Sequence, residues 1–375
     1  MIPIVVFADA TDDSQPLSKE PKPMAPSFIR AIRSSSVRQR QVLLVASFLA
    51  CFYFITHWSP HSVSVSLGHA PLSTPLSPFS VVLPESKYAY AAFLAAPQQE
   101  SDVDADDNYF VATRMLAYQL LHDPVTRTKQ SIPFLVAVTD EVTQRKRDRL
   151  AADGAVVVPV EKISFSWIHP SRRRWRDVLT KLRLFQLTQY ERIFFLDSDM
   201  LIVKCMDAIF ADAASVLALN ANRTERMKAD EGPQPTSYVF AGVSGQGGYD
   251  HPWPPRKGRA VNAGFILFQP SMDLFHHYMT VAAIEGRFDS KYPEQNLWNY
   301  VHRREGNMPW AQLTATWNVN WPTMNDYNNG VASLHAKFWD DELEAEMRDL
   351  LLRNRWKMEG SAEARDEMAS LASIL

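Results

Sequence analysis

Residues Ile193–Met200 read IFFLDSDM. Four consecutive apolar residues, two of them aromatic, describe a strand buried on both faces, as in the interior of a parallel sheet. The run stops at Asp197, and a second carboxylate follows two places on, at Asp199. At the exit of a strand, a turn in the chain lets both carboxylates converge on one cation, and an oxygen-rich pair of this kind suits Mn²⁺ or Mg²⁺. Such ions bridge diphosphates and offset charge as it departs. A bare D-x-D pair is a weak signal, which the buried strand before it sharpens.

Working outward from this motif, the preceding chain alternates between the two periods of regular structure. Strands are expected at Tyr88–Ala95, Pro133–Val138, Ala155–Val160 and Ile193–Leu196. Helices are expected between them at Tyr109–Leu121, Glu141–Ala152 and Trp175–Thr188, with Gly154 stopping the second. Alternation of this kind predicts an α/β sheet covered by helices on both faces, with ligands beyond the carboxyl ends of its strands. The acidic loop Asp102–Asn108 lacks the spacing of a calcium loop and reads as solvated. No Gly-rich dinucleotide loop or G-x-x-x-x-G-K-[ST] phosphate loop is present, which argues against hydride transfer and P-loop ATP hydrolysis.

The 375 residues carry a formal charge of −3, and nothing in that balance calls for a nucleic-acid partner. The basic run Arg172, Arg173, Arg174 and Arg176 reads either as a solvated helix start or as a patch facing an anionic substrate. Two cysteines, Cys51 and Cys205, imply no disulfide framework.

The amino-terminal part is of another kind. Residues 1–40 are rich in Pro, Ser and charge and read as a disordered cytoplasmic tail. Val42–Trp58 contains no Asp, Glu, Lys or Arg, and residues 41–60 are expected to form one transmembrane helix. Arginines crowd its amino-terminal flank, which predicts a single-pass type II protein with the basic end in the cytoplasm. Residues 61–84 then read as a lumenal stem, 85–345 as the catalytic domain and 346–375 as a helical tail. Across the boundary of the last two, Glu342–Lys357 reads as an amphipathic helix packed on the body, a pattern that Gly360 is expected to end.

Farther along, SLHAKFWD spans Ser333–Asp340. His335 there reads either as an ordinary hydrogen-bonded histidine at a strand edge or as a third ligand to the ion of the acidic pair. Lys337 can meet a phosphate as a point charge. Trp310–Tyr327 is heavy in tryptophan; core packing accounts for much of it, and Trp317 or Trp321 offers a flat face on which a sugar ring can stack.

Four segments together carry a resemblance: Leu179–Phe210 (LTKLRLFQLTQYERIFFLDSDMLIVKCMDAIF), Val261–Ser271 (VNAGFILFQPS), Phe288–Asn299 (FDSKYPEQNLWN) and Leu334–Asp340 (LHAKFWD). The chain resembles the family 8 retaining glycosyltransferases, the group that contains glycogenin. Its layout is most similar to the fungal Golgi enzymes that transfer N-acetylglucosamine, known as glucose N-acetyltransferases. The resemblance implies a single GT-A (Rossmann-like) nucleotide-diphospho-sugar transferase domain with a mixed sheet, here preceded by the transmembrane helix, in the Golgi membrane. It implies a UDP-sugar donor, UDP-GlcNAc first, with Mn²⁺ or Mg²⁺ and a mannose-rich or other glycan acceptor. UDP-glucose or UDP-galactose transfer, and a catalytically silent partner subunit, are the rival readings.

By the same resemblance, Asp197, Asp199 and His335 are the metal ligands, and Lys181, Asp197 and Lys337 hold the donor. Asn262, Glu294 and Gln295 stand at the reacting sugar. Only Ala336 separates His335 from Lys337 and Phe338 replaces the usual Pro, so the reach of Lys337 to the diphosphate is in question; Glu294 replaces the usual Asp. Retention can proceed through a glycosyl-enzyme, with Glu294 as the nameable nucleophile, or by attack on the face of departure.

Overall fold

The computed structural model describes residues 81–95 and 107–373. The chain opens with β1 (Tyr88–Leu94), α1 (Asn108–Leu121), β2 (Phe134–Val138), α2 (Gln144–Ala152), β3 (Val156–Pro159), β4 (Arg192–Leu196) and β5 (Met200–Ile202). A short hairpin of β6 (Ala218–Leu219) and β7 (Ser237–Tyr238) comes next, then β8 (Phe240–Ser244) and β9 (Val261–Phe268). The remainder is α3 (Met272–Ala283), α4 (Pro293–Val301), β10 (Ala311–Gln312), β11 (Asn318–Asn320), α5 (Met324–Asn328), β12 (Ser333–His335) and α6 (Ala345–Ala372).

Seven strands form the main sheet in the order β10-β8-β9-β4-β1-β2-β3. β3, β2, β1 and β4 run parallel, and β9 joins β4 antiparallel, so the sheet is mixed. Strand order reverses between β1 and β4, the switch point at which open α/β sheets bind ligands beyond their carboxyl ends. β11, β12 and β5 form a separate three-stranded sheet.

The apolar run that ends at Asp197 explains its place. Alternation sends Ile193 and Phe195 into one core and Phe194 and Leu196 into another. Phe185, Phe268, Tyr278 and Trp298 pack in the first core, and Phe110, Phe134 and Phe265 in the second. A third core joins α1, the small sheet and α6 through Met115, Leu201, Leu334, Met347 and Leu351.

The four expected strands of the first half and its first two helices are present. The helix expected over Trp175–Thr188 is instead wound into 3₁₀ turns at Arg173–Trp175 and Val178–Gln186. Seven of the nine residues from Val178 to Gln186 are buried, so the segment has little polar face to give to solvent, and Thr180 Oγ1 accepts the Ile163 N–H at 3.1 Å. Of the acidic loop only Asp107 and Asn108 are described; Asp107 caps α1 by accepting the Phe110 N–H and pairs with Lys146 at 2.7 Å. Gly360 does not stop α6. A mid-helix glycine costs about 1 kcal/mol, which Met347, Leu351, Met358 and Ala362 offset by burial, together with the Arg365–Asp153 and Arg149–Asp366 pairs to α2 and its carboxyl-terminal cap.

The expectation of a preceding transmembrane helix is corrected. Among the described residues no helix is long and apolar enough to cross a membrane. The 28-residue α6 has the length, but its charged residues would have to leave water, at a cost of roughly 2.5–3.5 kcal/mol each. The segment 41–60, the tail 1–40 and most of the stem 61–84 lie outside the described residues. The membrane partner, the type II topology and the Golgi address rested on that helix and are withdrawn with it.

Candidate active site

β4 delivers Asp197 to the carboxyl edge of the sheet at the switch point. The Asp197 N–H still bonds to the Gly264 carbonyl (2.9 Å), extending the pairing with β9 by one residue. The chain then turns. Ser198 is buried, and its Oγ accepts a hydrogen bond from Thr113 Oγ1 of α1 at 2.8 Å. Asp199 comes next, also buried, and the chain enters β5. Pairing of β5 with β12 sets Met200 opposite His335, and the Ala336 N–H donates to the Asp199 carbonyl at 3.0 Å. That ladder brings together residues 136 positions apart: His335 Nε2 lies 3.0 Å from Asp199 Oδ1.

Ligand atoms of Asp197, Asp199 and His335 all lie within 4.8 Å of one another. Two carboxylates and an imidazole are a donor set that fits Mn²⁺ or Mg²⁺. His335 Nδ1 is buried and has no hydrogen-bond partner, an orphan atom of the kind that marks a functional site. Of its two readings from sequence, the ordinary edge histidine accounts less well for that arrangement.

Each carboxylate is also met by a lysine. Lys337 Nζ lies 2.6 Å from Asp199 Oδ2, so the short Ala336 spacing still brings this lysine to the cluster. Lys181 Nζ bridges Asp197 Oδ1 (2.8 Å) and Glu294 Oε1 (3.0 Å) while lying over the Phe195 ring. Burial opposes the charge on Lys181, but Asp197 and Glu294 outweigh it and hold its pKa above the ordinary lysine value. Asp199 raises that of Lys337. Burial pushes the Asp199 carboxyl up, yet Lys337 and His335 more than reverse this and hold it well below the usual carboxylate range. Asp199, Lys181 and Lys337 are therefore charged at neutral pH.

The remaining expected residues line β9 and α4. Asn262 Oδ1 accepts the Gly264 N–H (2.9 Å), and Gln295 Oε1 accepts the Ala263 N–H (3.2 Å). Both side-chain carbonyls are thus tied to β9, while neither amide nitrogen has a hydrogen-bond partner among the described residues. Glu294 is buried in the first turn of α4 and is engaged by Lys181.

Sequence reasoning missed two contributors and left a third, Arg174, between two readings. A Cβ on Gly264 would stand 2.6 Å from both Asp197 Oδ2 and His335 Cε1, so a side chain here would force the two to shift; a glycine inside an otherwise apolar strand was the available signal. The Thr113–Ser198 bond had no signal, because its partners lie on different elements. Arg174 is half-buried while its neighbours Arg172, Arg173 and Arg176 are exposed. Its Nε is buried without a partner, and its charge is felt at both Lys337 and Tyr109. Within the tryptophan-rich stretch, Trp310 is buried and Trp317 Nε1 donates to Asp212 (2.7 Å), whereas Trp321 stays exposed.

No family model matches the chain. An uncharacterized protein of Schizosaccharomyces pombe is 29% identical over 282 residues, covering 68% of this chain and 73% of that protein. Inositol phosphorylceramide glucuronosyltransferase 1 of Arabidopsis thaliana is 29% identical over 119 residues, 31% of this chain and 21% of its own length. Glucose N-acetyltransferase 1-B of Kluyveromyces lactis is 25% identical over 172 residues, 42% and 36% of the two chains. The crystal structure of galactosyltransferase LgtC with donor and acceptor sugar analogs covers 72% of this chain and 95% of its own, at 14% identity and a TM-score of 0.43.

The mixed sheet with its switch point thus carries, at the carboxyl end of β4, three residues that could hold a divalent cation: a mixed-sheet α/β domain with a candidate metal site. In sequence it is similar to fungal and plant proteins named as sugar or glucose N-acetyl transferases, and these do not single out family 8 or transfer of N-acetylglucosamine.

Proposed function

We propose that this protein transfers a sugar from a UDP-sugar to a glycan acceptor, with retention at the anomeric carbon. The observation that carries the reading is the Asp197–Asp199–His335 cluster flanked by Lys181 and Lys337 at the switch point of the sheet. A divalent cation held by the three ligands would offset the charge of the departing diphosphate.

The chain's own residues supply the rest. Lys181 and Lys337, held against Asp197 and Asp199, would meet phosphate oxygens as point charges where those carboxylates were shared with the cation. Arg174, with its unpartnered Nε, adds a third positive group. The free amide nitrogens of Asn262 and Gln295 are suited to donate to sugar hydroxyls. Glu294 holds Lys181, which leaves its carboxylate committed to positioning. That commitment favours attack on the face of departure, with the leaving phosphate taking the acceptor proton.

The sugar is the finer point. Relatives named for glucuronosyl transfer and as galactinol synthase stand beside those named glucose N-acetyltransferase, so a donor other than UDP-GlcNAc, such as UDP-glucose or UDP-galactose, is preferred. Donor choice rests on a few pocket contacts. The test is UDP release by the full chain with Mn²⁺ and, in separate reactions, UDP-glucose, UDP-galactose, UDP-glucuronate and UDP-GlcNAc, with and without a mannose-rich acceptor. Acceptor-stimulated release that disappears in Asp199→Asn supports the reading. Metal-dependent UDP binding without release from any donor would move the weight to a catalytically silent partner.

A further inference from the structure

Trp321 departs from the backbone rules that its neighbours obey. Its φ is +58°, in the left-handed region that a bulky side chain rarely enters. Pro322 comes directly after it, and a residue before proline is normally driven to extended backbone. Both departures cost free energy, and backbone strain of this kind clusters at ligand sites.

The surroundings hold the strained residue in place. His251 Nε2 meets the Trp321 carbonyl at 3.0 Å, and the same nitrogen lies 3.5 Å from Oδ2 of the fully buried Asp326. Tyr249 packs against the indole edge-to-face, with ring centroids 5.2 Å apart and planes at 86°. Tyr249 and His251 come from the loop after β8, so one loop holds both the Trp321 ring, through Tyr249, and its carbonyl, through His251, which Asp326 of α5 meets in turn. Despite this, Trp321 is 39% exposed, and its Nε1 makes no hydrogen bond among the described residues.

Its position relates it to the cluster. Asn320, the residue before it, pairs in register with the metal-site histidine, His335. The Asn320 side chain accepts the Gln246 N–H (2.7 Å) and donates to the Gln246 carbonyl (3.2 Å). A Cβ on Gly245 would lie about equally far from the side-chain nitrogens of Asn320 and Asn262, at 3.9 and 4.0 Å. Trp321 thus stands one residue beyond a wall shared by the metal histidine and the amide proposed to meet the sugar.

We propose that Trp321 is a stacking platform for a pyranose ring of the acceptor glycan. An indole offers a flat apolar face to the C–H face of a sugar and a free N–H to its hydroxyls. This rests on the sugar-transfer reading for the word acceptor, but the binding itself is separable from turnover.

The experiment titrates the full chain, in the presence of Mn²⁺ and UDP, with a mannose-rich oligosaccharide and separately with lactose, by calorimetry. Wild-type protein is expected to bind at least one sugar. Trp321→Ala should bind it about tenfold more weakly and Trp321→Phe about threefold, with UDP affinity unchanged. Trp321→Asn guards against a folding defect, because Asn takes left-handed backbone readily. It should melt within roughly 3 °C of wild type and still lose the sugar. Equal binding by wild type and Trp321→Ala, binding of neither sugar, or a Trp321→Asn variant that loses melting temperature and sugar together overturns the platform. Trp321-dependent sugar binding without any UDP binding would keep the platform and overturn the transferase reading.

Discussion

The carboxylate arm of the site, Asp197 to Asp199, leaves a strand that is buried on both faces of the seven-stranded sheet. The histidine–lysine arm, His335 to Lys337, leaves a three-residue strand of the small sheet. The first arm is held by its own strand, by the Gly264 carbonyl and by Thr113 through Ser198. The second is held largely through the first, by the β5–β12 ladder and by the bond from the Ala336 N–H to the Asp199 carbonyl. One arm is a rigid reference and the other is registered against it. Errors in the first should propagate to the second, and errors in the second should stay local.

Breaking the reference arm should have the largest effect. In Asp199→Asn the half-buried Lys337 and His335 face a neutral amide, and a bound ion would lose a ligand. Turnover is expected to fall by about 10³ or more, measured as UDP release. Metal-dependent UDP binding should go with it. If that binding survives, His335 holds the ion without its reference and the hierarchy of the arms is wrong.

Next comes the contact between the arms. Gly264→Ala places a methyl group against both Asp197 and His335. A shift on the order of 1 Å at a reacting centre costs about 10² in rate. The expected outcome is that loss in kcat, with secondary structure by circular dichroism retained. Undiminished kcat would show that the arms can part without consequence.

A change confined to the second arm should do less. Lys337→Met removes one charge proposed to face phosphate and leaves the proposed metal ligands in place. A rise of about tenfold in donor KM with a smaller change in kcat is expected, in line with losing one charge-assisted contact of about 1.5–3 kcal/mol. A loss as deep as that of Asp199→Asn would mean that the two arms act as one unit.

The smallest effect belongs to a region carrying neither arm. His302 is fully buried, stacks on Phe240 and contacts Tyr278 and the Met308 carbonyl. Burial lowers its pKa to about 3 from the ordinary histidine value of 6.5. Between these values the unfolded chain binds a proton that the native chain does not. Its contribution to stability is therefore present above about pH 6.5 and is lost as pH falls toward 3, with a slope of at most about 1.4 kcal/mol per pH unit. His302→Gln should flatten the dependence of melting temperature on pH in that window while leaving UDP affinity unchanged. An unaltered slope would assign the acid sensitivity to other groups.

Much of the reference arm was legible because its determinants are local. Four apolar residues followed by D-S-D specify a buried strand and its polar exit whatever surrounds them, and β1 to β4 appear where alternation put them. The second arm was legible only as residue types. No local rule says that Ser333–His335 pairs with Met200–Ile202, because a ladder between segments so far apart is decided by packing. Local rules also misjudged two helices. Burial tightened the segment before β4 into 3₁₀ turns, and docking carried α6 through Gly360.

The amino-acid sequence by itself determined the parallel half of the sheet, the acidic exit of β4 and the residue types able to hold an ion, since periodicity and composition act over a few residues. Only the tertiary structure decided that His335 and Lys337 both reach Asp199 and that a side chain at Gly264 would press on Asp197 and His335. It also turned Arg174 inward and kept Trp321 exposed on a strained backbone. These depend on contacts between elements distant in the chain, whose free energy exists only once the elements have packed.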